Sequence, residues 1–248
     1  MISQNLIDKT LQYFDKYSKE DFVVKPSLPI LYFGNLEDYE KSKLKVVTVG
    51  KNPSDNEFKL KKNDNYSFCR FKNWDPDARN LIESLNPYFE DNPLKQWFSS
   101  LEPILNGMGS SFYKKNKFPN RALHTDICSP LATNPTWSKL TKENQNLLFK
   151  EGFEIWKQLI EELQPDIMLI SVPFNLLKKI IHECGKLLTF FDSKKDNTKR
   201  KKVYEVFVYN YKLTTKKNTK VIFGKAANKP FGTISQEQKI KIGELCIK

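Results

Sequence analysis

The sequence predicts an α/β fold: a three-layer α/β/α sandwich with a mostly parallel, four-stranded central sheet and a small antiparallel excursion. Two observations carry this. Four short apolar runs, at residues 45–49, 122–127, 166–171 and 220–224, read as buried strands, because each is bounded by Gly, Pro or polar residues and is too short for a core helix. Helical periodicity fills much of the chain between them, and strands alternating with helices imply a parallel sheet covered on both faces. At 248 residues the chain fits one domain, residues 1–248.

Each element has its own justification. Ile2, Leu6, Leu11, Phe14 and Tyr17 recur at helical spacing and predict an amphipathic helix within an N-terminal arm, residues 1–30, that ends before Pro26 and Pro29. The first strand, residues 45–49, runs into Gly50-Lys51-Asn52-Pro53-Ser54, where Gly and Pro force a turn. The polar stretch to Asn73 carries Tyr66, Phe68 and Phe71, with Trp74 directly after it, and these aromatics favour an ordered loop. Asp75 before Pro76 is a helix start leading to Leu81, Ile82 and Leu85, and a further helix covers 94–105. The second strand, 122–127, exits through Cys128-Ser129-Pro130.

Residues 141–163 carry Leu147, Leu148, Trp156, Leu159 and Ile160 as one apolar helix face, stopped by Pro165. The third strand, 166–171, leads into a helix opened by Val172-Pro173 and carrying Leu176, Leu177, Ile180 and Ile181. Residues 187–191 and 204–211 flank a Lys-rich turn and predict the antiparallel excursion, 187–212, at a sheet edge. The fourth strand, 220–224, is followed by a polar loop and a last helix from Ser235.

Charge narrows the function. Lys and Arg number 41 against 29 Asp and Glu, a net charge of +12, and such an excess favours polyanions through counterion release. The competing reading is a lysine-rich solvated surface. No apolar run approaches the ~20 residues a membrane span requires, and the N-terminus lacks a basic start followed by an apolar stretch, so a cytoplasmic protein with no membrane partner is expected. Cys69, Cys128, Cys184 and Cys246 are widely separated and the chain has two His; reduced thiols are expected, with no metal and no cofactor. The phosphate-binding loop, the dinucleotide fingerprint and the serine-hydrolase elbow are all missing from the sequence.

In open α/β sheets ligands sit at the carboxyl ends of the strands, which brings residues 50–54, 124–130 and 224–232 to one expected crevice. Gly50-Lys51-Asn52-Pro53-Ser54 resembles the Gly-x-Asn-Pro-Gly motif of the uracil-DNA glycosylase superfamily, in its mismatch-specific and single-strand-selective branches. The segment from His124 to Ala132 is similar to the His-Asn-Tyr-Cys-Pro-Leu segment of the second branch and is two residues longer. Asn228-Lys229-Pro230-Phe231 stands where that superfamily has its last strand-end motif. The resemblance spans residues 46–232 and implies a DNA base glycosylase of this fold, monofunctional and without an iron-sulfur cluster, acting on single- or double-stranded DNA.

The chemistry then assigns roles. Hydrolysis of the glycosidic bond passes through an oxocarbenium-like sugar and a departing base anion, so the site positions water, stabilises the anion and holds a flipped nucleotide. Asn52 is the expected water-orienting residue and Asn228 the donor to the leaving base. Phe68 or Phe71 would stack on that base, and Asp126 or Thr125 would read its edge. Ser54, Lys51, Lys225 and Lys229 would hold flanking phosphates, with Phe231 as a wedge. A carboxylate accepts hydrogen bonds but does not donate them, so Asp126 suits an amino-bearing or modified base, whereas an amide suits uracil. A non-catalytic nucleic-acid binder on the same fold is the alternative, and repair or defence against foreign DNA are the two settings for the enzyme.

Overall fold

A computed structural model of the chain describes residues 2–225 and 229–248. Its elements run in chain order as α1 (Gln4–Tyr17), α2 (Leu36–Lys41), β1 (Val46–Gly50), α3 (Leu81–Leu85), α4 (Lys95–Phe98), α5 (Glu102–Gly107), β2 (Ser110–Ser111) and β3 (Asn120–Asp126), followed by α6 (Lys142–Leu163), β4 (Ile167–Ile170), α7 (Phe174–Leu177), β5 (Lys186–Ser193), β6 (Lys199–Lys212), β7 (Asn218–Gly224) and α8 (Gln236–Cys246). Among the described residues no helix is long and apolar enough to cross a membrane.

The chain is α/β, as the alternation of apolar runs predicts, but its sheet has seven strands rather than four, in the order β2-β3-β1-β4-β7-β6-β5. Parallel pairing joins β2 to β3, β1 to β4 and β4 to β7. The excursion is part of this sheet: β6 pairs antiparallel with β7 from Val206 to Lys212, and β5 pairs antiparallel with β6. With 14 residues, β6 is long enough to span β7 and continue past it. The additional parallel strand, β2, is two buried serines, too short to leave a periodic signal.

Contacts group the chain into two compact units: Met1–Leu36, Gly50–Leu94 and Leu123–Leu163 form the first, and Glu37–Val49, Lys95–Ala122 and Gln164–Lys248 the second. In the first, α1 is no free arm. Ser3 caps it, its Oγ donates to Glu162 Oε1 at 2.7 Å, and Tyr13 donates to the Leu148 carbonyl at 2.9 Å, so α1 lies along α6 with Leu6, Tyr13 and Tyr17 buried. In the second, β1 and β4 are wholly buried, as expected for β-branched and aliphatic runs in a parallel sheet. There α8 crosses α5 with Gly243 against Gly107, where any side chain on either would run into backbone. Ser235 and Gln238 close a reciprocal capping box at the start of α8, the helix expected from Ser235.

Three helices are shorter than expected. Asp75 Oδ1 accepts from the amides of Asp77 and Ala78, but the turn it caps does not propagate, and helix starts only at Leu81. Arg79 between them has φ 53°, which ends one turn and begins another. The helix expected over 94–105 is broken into α4 and α5, and α7 ends at Leu177 although Ile180 and Ile181 are buried beyond it.

Candidate functional site

The site is built in the first unit, where β1 and β3 end. Their pairing continues past the strands: the Ile127 amide donates to the Gly50 carbonyl at 3.1 Å and the Cys128 amide to the Lys51 carbonyl at 2.7 Å. Gly50 is required by this approach, because a Cβ there would overlap Asp126 Oδ1 and lie 3.0 Å from His124 Nε2.

Asn52 is held by its amide nitrogen, which donates to the carbonyls of Pro53 (2.8 Å) and Leu131 (3.2 Å) and to Thr133 Oγ1 (3.0 Å). Two carbonyl acceptors fix which end of the amide is nitrogen. The amide oxygen therefore faces the other way, and no described residue donates to it. A Ser54–Thr133 bridge ties the same two loops together, and Ser54 Oγ accepts from the Asn56 amide at the head of a 3₁₀ turn, Asp55–Phe58.

Strand alternation separates Thr125 from Asp126. Thr125 is fully buried and its Oγ1 accepts from Trp156 Nε1 at 3.1 Å, so this hydroxyl is turned toward α6. His124 and Asp126 share the opposite face, with His124 Nε2 3.7 Å from Asp126 Oδ1. Both side chains are under 5% exposed, and the His124 ring lies 5.5 Å from Phe33, as a packed core histidine should. The Asp126 carboxylate accepts no hydrogen bond from a described residue; its basic neighbours are His124 at 3.7 Å and Lys51, whose pKa it raises. It thus ends β3 as an acceptor held ready beside Gly50.

Lys51 is half-buried and its Nζ donates to Ser138 Oγ. Burial lowers its pKa, while the Cys128 sulfur and the Asp126 carboxylate pull it partly back. It is engaged by the loop rather than extended toward solvent.

The loop after residue 54 is ordered, as its aromatics predict, and its central strut is Arg70. This buried guanidinium donates to the carbonyls of Asn56, Lys59 and Asn92. Phe71 is 1% exposed and lies 5.5 Å from both Phe58 and Tyr88, so its expected role in stacking on a base is corrected: it is a core ring. Phe68 is only partly covered and lines an open cleft of about 420 Å³ with Trp74, Phe14, Pro26 and Arg79. Of the two candidate stacking rings, Phe68 alone presents a face.

Glu57 is the group that sequence reasoning missed. It is 4% exposed, takes a hydrogen bond from the Tyr88 hydroxyl at 2.5 Å, and lies 4.0 Å from Arg70 Nε. Burial lifts its pKa to about 7, Tyr88 and Arg70 oppose the rise, and the Asp126 carboxylate adds to it. Asp126 and Glu57 are thus electrostatically coupled acids, one of them poised between charge states near neutrality. Its sequence signal was an acid next to Phe58 in a polar stretch.

The remaining expected residues lie in the second unit. Lys225 and Lys229 are exposed, and the Lys225 carbonyl accepts from Tyr204 Oη at 2.8 Å. Phe231 is fully buried, with φ 49°, its ring packed on Gly224 and 6.4 Å from Tyr204. The expected wedge is therefore corrected to a buried ring packed against the end of β7. Asn228 lies outside the described residues. All four cysteines are free thiols, and among the described residues no cluster of His, Cys, Asp and Glu is arranged to hold a metal ion.

No protein-family model matches the chain, and a search of the curated proteins finds no match.

Proposed function

We propose that the protein is a DNA base glycosylase that hydrolyses the N-glycosidic bond of a flipped, amino-bearing or modified base. The observation that carries the reading is the Asn52 amide, anchored by nitrogen to three acceptors while no described residue donates to its oxygen, at the end of a strand beside the buried Asp126 carboxylate, which faces His124 at 3.7 Å and accepts no hydrogen bond from a described residue.

In this reading Asn52 Oδ1 accepts a hydrogen bond from a water molecule and so turns a lone pair of the water oxygen toward the sugar carbon. A fixed acceptor of this kind works by positioning, which contributes more than its weak basicity. Asp126 accepts from the exocyclic amine of the base, a partner that supplies the donor the carboxylate lacks. Phe68 supplies the stacking face, a contact that tolerates different bases. The net charge of +12 supplies the attraction to a phosphate backbone.

The test uses labelled single- and double-stranded oligonucleotides carrying uracil, hypoxanthine, cytosine or modified cytosines, treated with hot alkali to cut abasic sites. Wild-type protein should cut at an amino-bearing base, and Asn52→Ala should lose about a hundredfold or more in rate. Asp126→Asn should move preference toward uracil, because an amide both donates and accepts. Salt-sensitive binding without any cleavage would leave the non-catalytic binder as the correct reading.

A further inference from the structure

Strands β5 and β6 form a ribbon at the edge of the second unit's sheet, and its chemistry is unlike the rest of that sheet. Paired residues place Leu187 beside Phe207 and Phe190 beside Glu205, and alternation along β6 puts Val203 on the same face. Leu187, Phe190 and Val203 are each about half exposed. At the turn Lys194, Lys195, Lys199, Lys201 and Lys202 are all exposed, with Asp196 the one acid from 194 to 202, and no described carboxylate pairs with any of these lysines. Asp196 is spent on the turn itself, accepting from the amide and hydroxyl of Thr198.

The ribbon is built to hold its shape. Arg200 Nε donates to the Ser193 carbonyl at 2.8 Å and its guanidinium also reaches the Thr233 carbonyl, while Gln238 donates to Ser193 Oγ at 3.0 Å. The basic turn is therefore fastened to the start of α8. Burial first, then Lys229 and Lys195, lower the pKa of Lys239 to about 8, so the turn and Lys229 share one positive field.

A second copy of this chain is poorly served by that edge. Edge strands recruit another strand when they are long, flat and regular, and β5 has register shifts between Leu187 and Thr189 and between Phe191 and Ser193. Such irregularities with flanking lysines block strand addition and leave side chains, rather than backbone, to make the contact. A two-stranded ribbon also fits the width of a B-DNA major groove, where apolar side chains meet thymine methyls and lysines meet the phosphates on either side.

We infer that the β5–β6 ribbon is a duplex-DNA contact, with Lys194, Lys195, Lys199, Lys201 and Lys202 on the phosphates and Leu187, Phe190 and Val203 facing the groove. The assignment rests on the proposed action on DNA for its choice of partner, but it needs no catalysis.

The experiment is anisotropy of the full-length protein with a labelled duplex of about 20 base pairs, without a target base, between about 50 and 200 mM salt. Lys199→Gln/Lys201→Gln/Lys202→Gln should reduce the slope of log affinity against log salt by about 2 to 3. The control Lys19→Gln/Lys142→Gln/Lys150→Gln makes the same charge change on exposed residues of the first unit and should leave the slope unchanged. Phe190→Ser should weaken binding severalfold at every salt concentration without altering the slope. Equal slopes for the two triple variants, equal loss on a single strand of the same length, or a wild-type dimer broken by Leu187→Lys would each overturn the proposal. Abasic-site formation is read separately: loss of slope in a protein that cuts no base keeps the ribbon and discards the glycosylase.

Discussion

The end of β3 and the β5–β6 ribbon handle charge in opposite ways. Around Gly50 an acid is buried against a glycine, with a second acid near it whose pKa has climbed to about 7. On the ribbon five lysines stand in water, and no described carboxylate pairs with them. Buried charge costs free energy and persists only where surrounding packing holds it; solvated charge costs almost nothing and is set by composition alone. Substitutions should therefore change stability strongly at the first region, in either direction, and be nearly silent for stability at the second.

The largest effect is expected at Gly50. Gly50→Ala places a methyl against Asp126 Oδ1 and His124 and should destabilise by about 3 kcal/mol, as overpacking does. A denaturation midpoint unchanged from wild type would mean that the strand ends are looser than their geometry implies.

Next is Glu57. Its folded pKa of about 7 lies above its ordinary value of 4.5, so between those limits the native state binds the extra proton, and stability falls as pH rises from 4.5 through 7. Glu57→Gln keeps an acceptor for Tyr88 and removes the charge. It should gain roughly 2–3 kcal/mol over wild type at pH 8 and nothing at pH 5. Parallel pH profiles for the two proteins would show that the carboxyl is solvated and the contrast false.

Thr125→Val strands the Trp156 indole N–H in the core and should cost about 1–2 kcal/mol while leaving any base preference in place, which Asp126→Asn should change. The smallest effect belongs to the ribbon: the Lys199, Lys201 and Lys202 glutamine triple should shift stability by less than about 0.5 kcal/mol, whatever it does to DNA affinity. A large loss of stability there would erase the difference between the regions.

What the sequence discloses follows the same division. Runs such as VVTV and IMLI are buried on both faces and announce their strands without help from elsewhere. The seven-stranded sheet was only partly legible, since β2 is two serines that pair because of where the chain takes them. Gly50, Asn52 and Asp126 stood out because local turn chemistry marks them. Phe71 and Phe231 misled for one reason: aromatics in polar loops look like surface contacts, and their burial depends on Tyr88 and Gly224, which lie outside each loop's own pattern. Glu57 was hidden because its partners Arg70 and Tyr88 lie 13 and 31 positions away, and one acid in a polar stretch has no period.

The alternation of β3 has a consequence for how this chain can change. Thr125 and Asp126 are neighbours with unrelated duties, and which of them meets the Gly50 side depends on whether the count of residues along the strand is odd or even. Inserting or deleting one residue ahead of position 125 would exchange acid for hydroxyl in a single event and turn the other toward Trp156. Two residues would restore both. Length variation at this strand should therefore be tolerated in pairs, and a library that varies it by single residues would sample two chemistries on one scaffold.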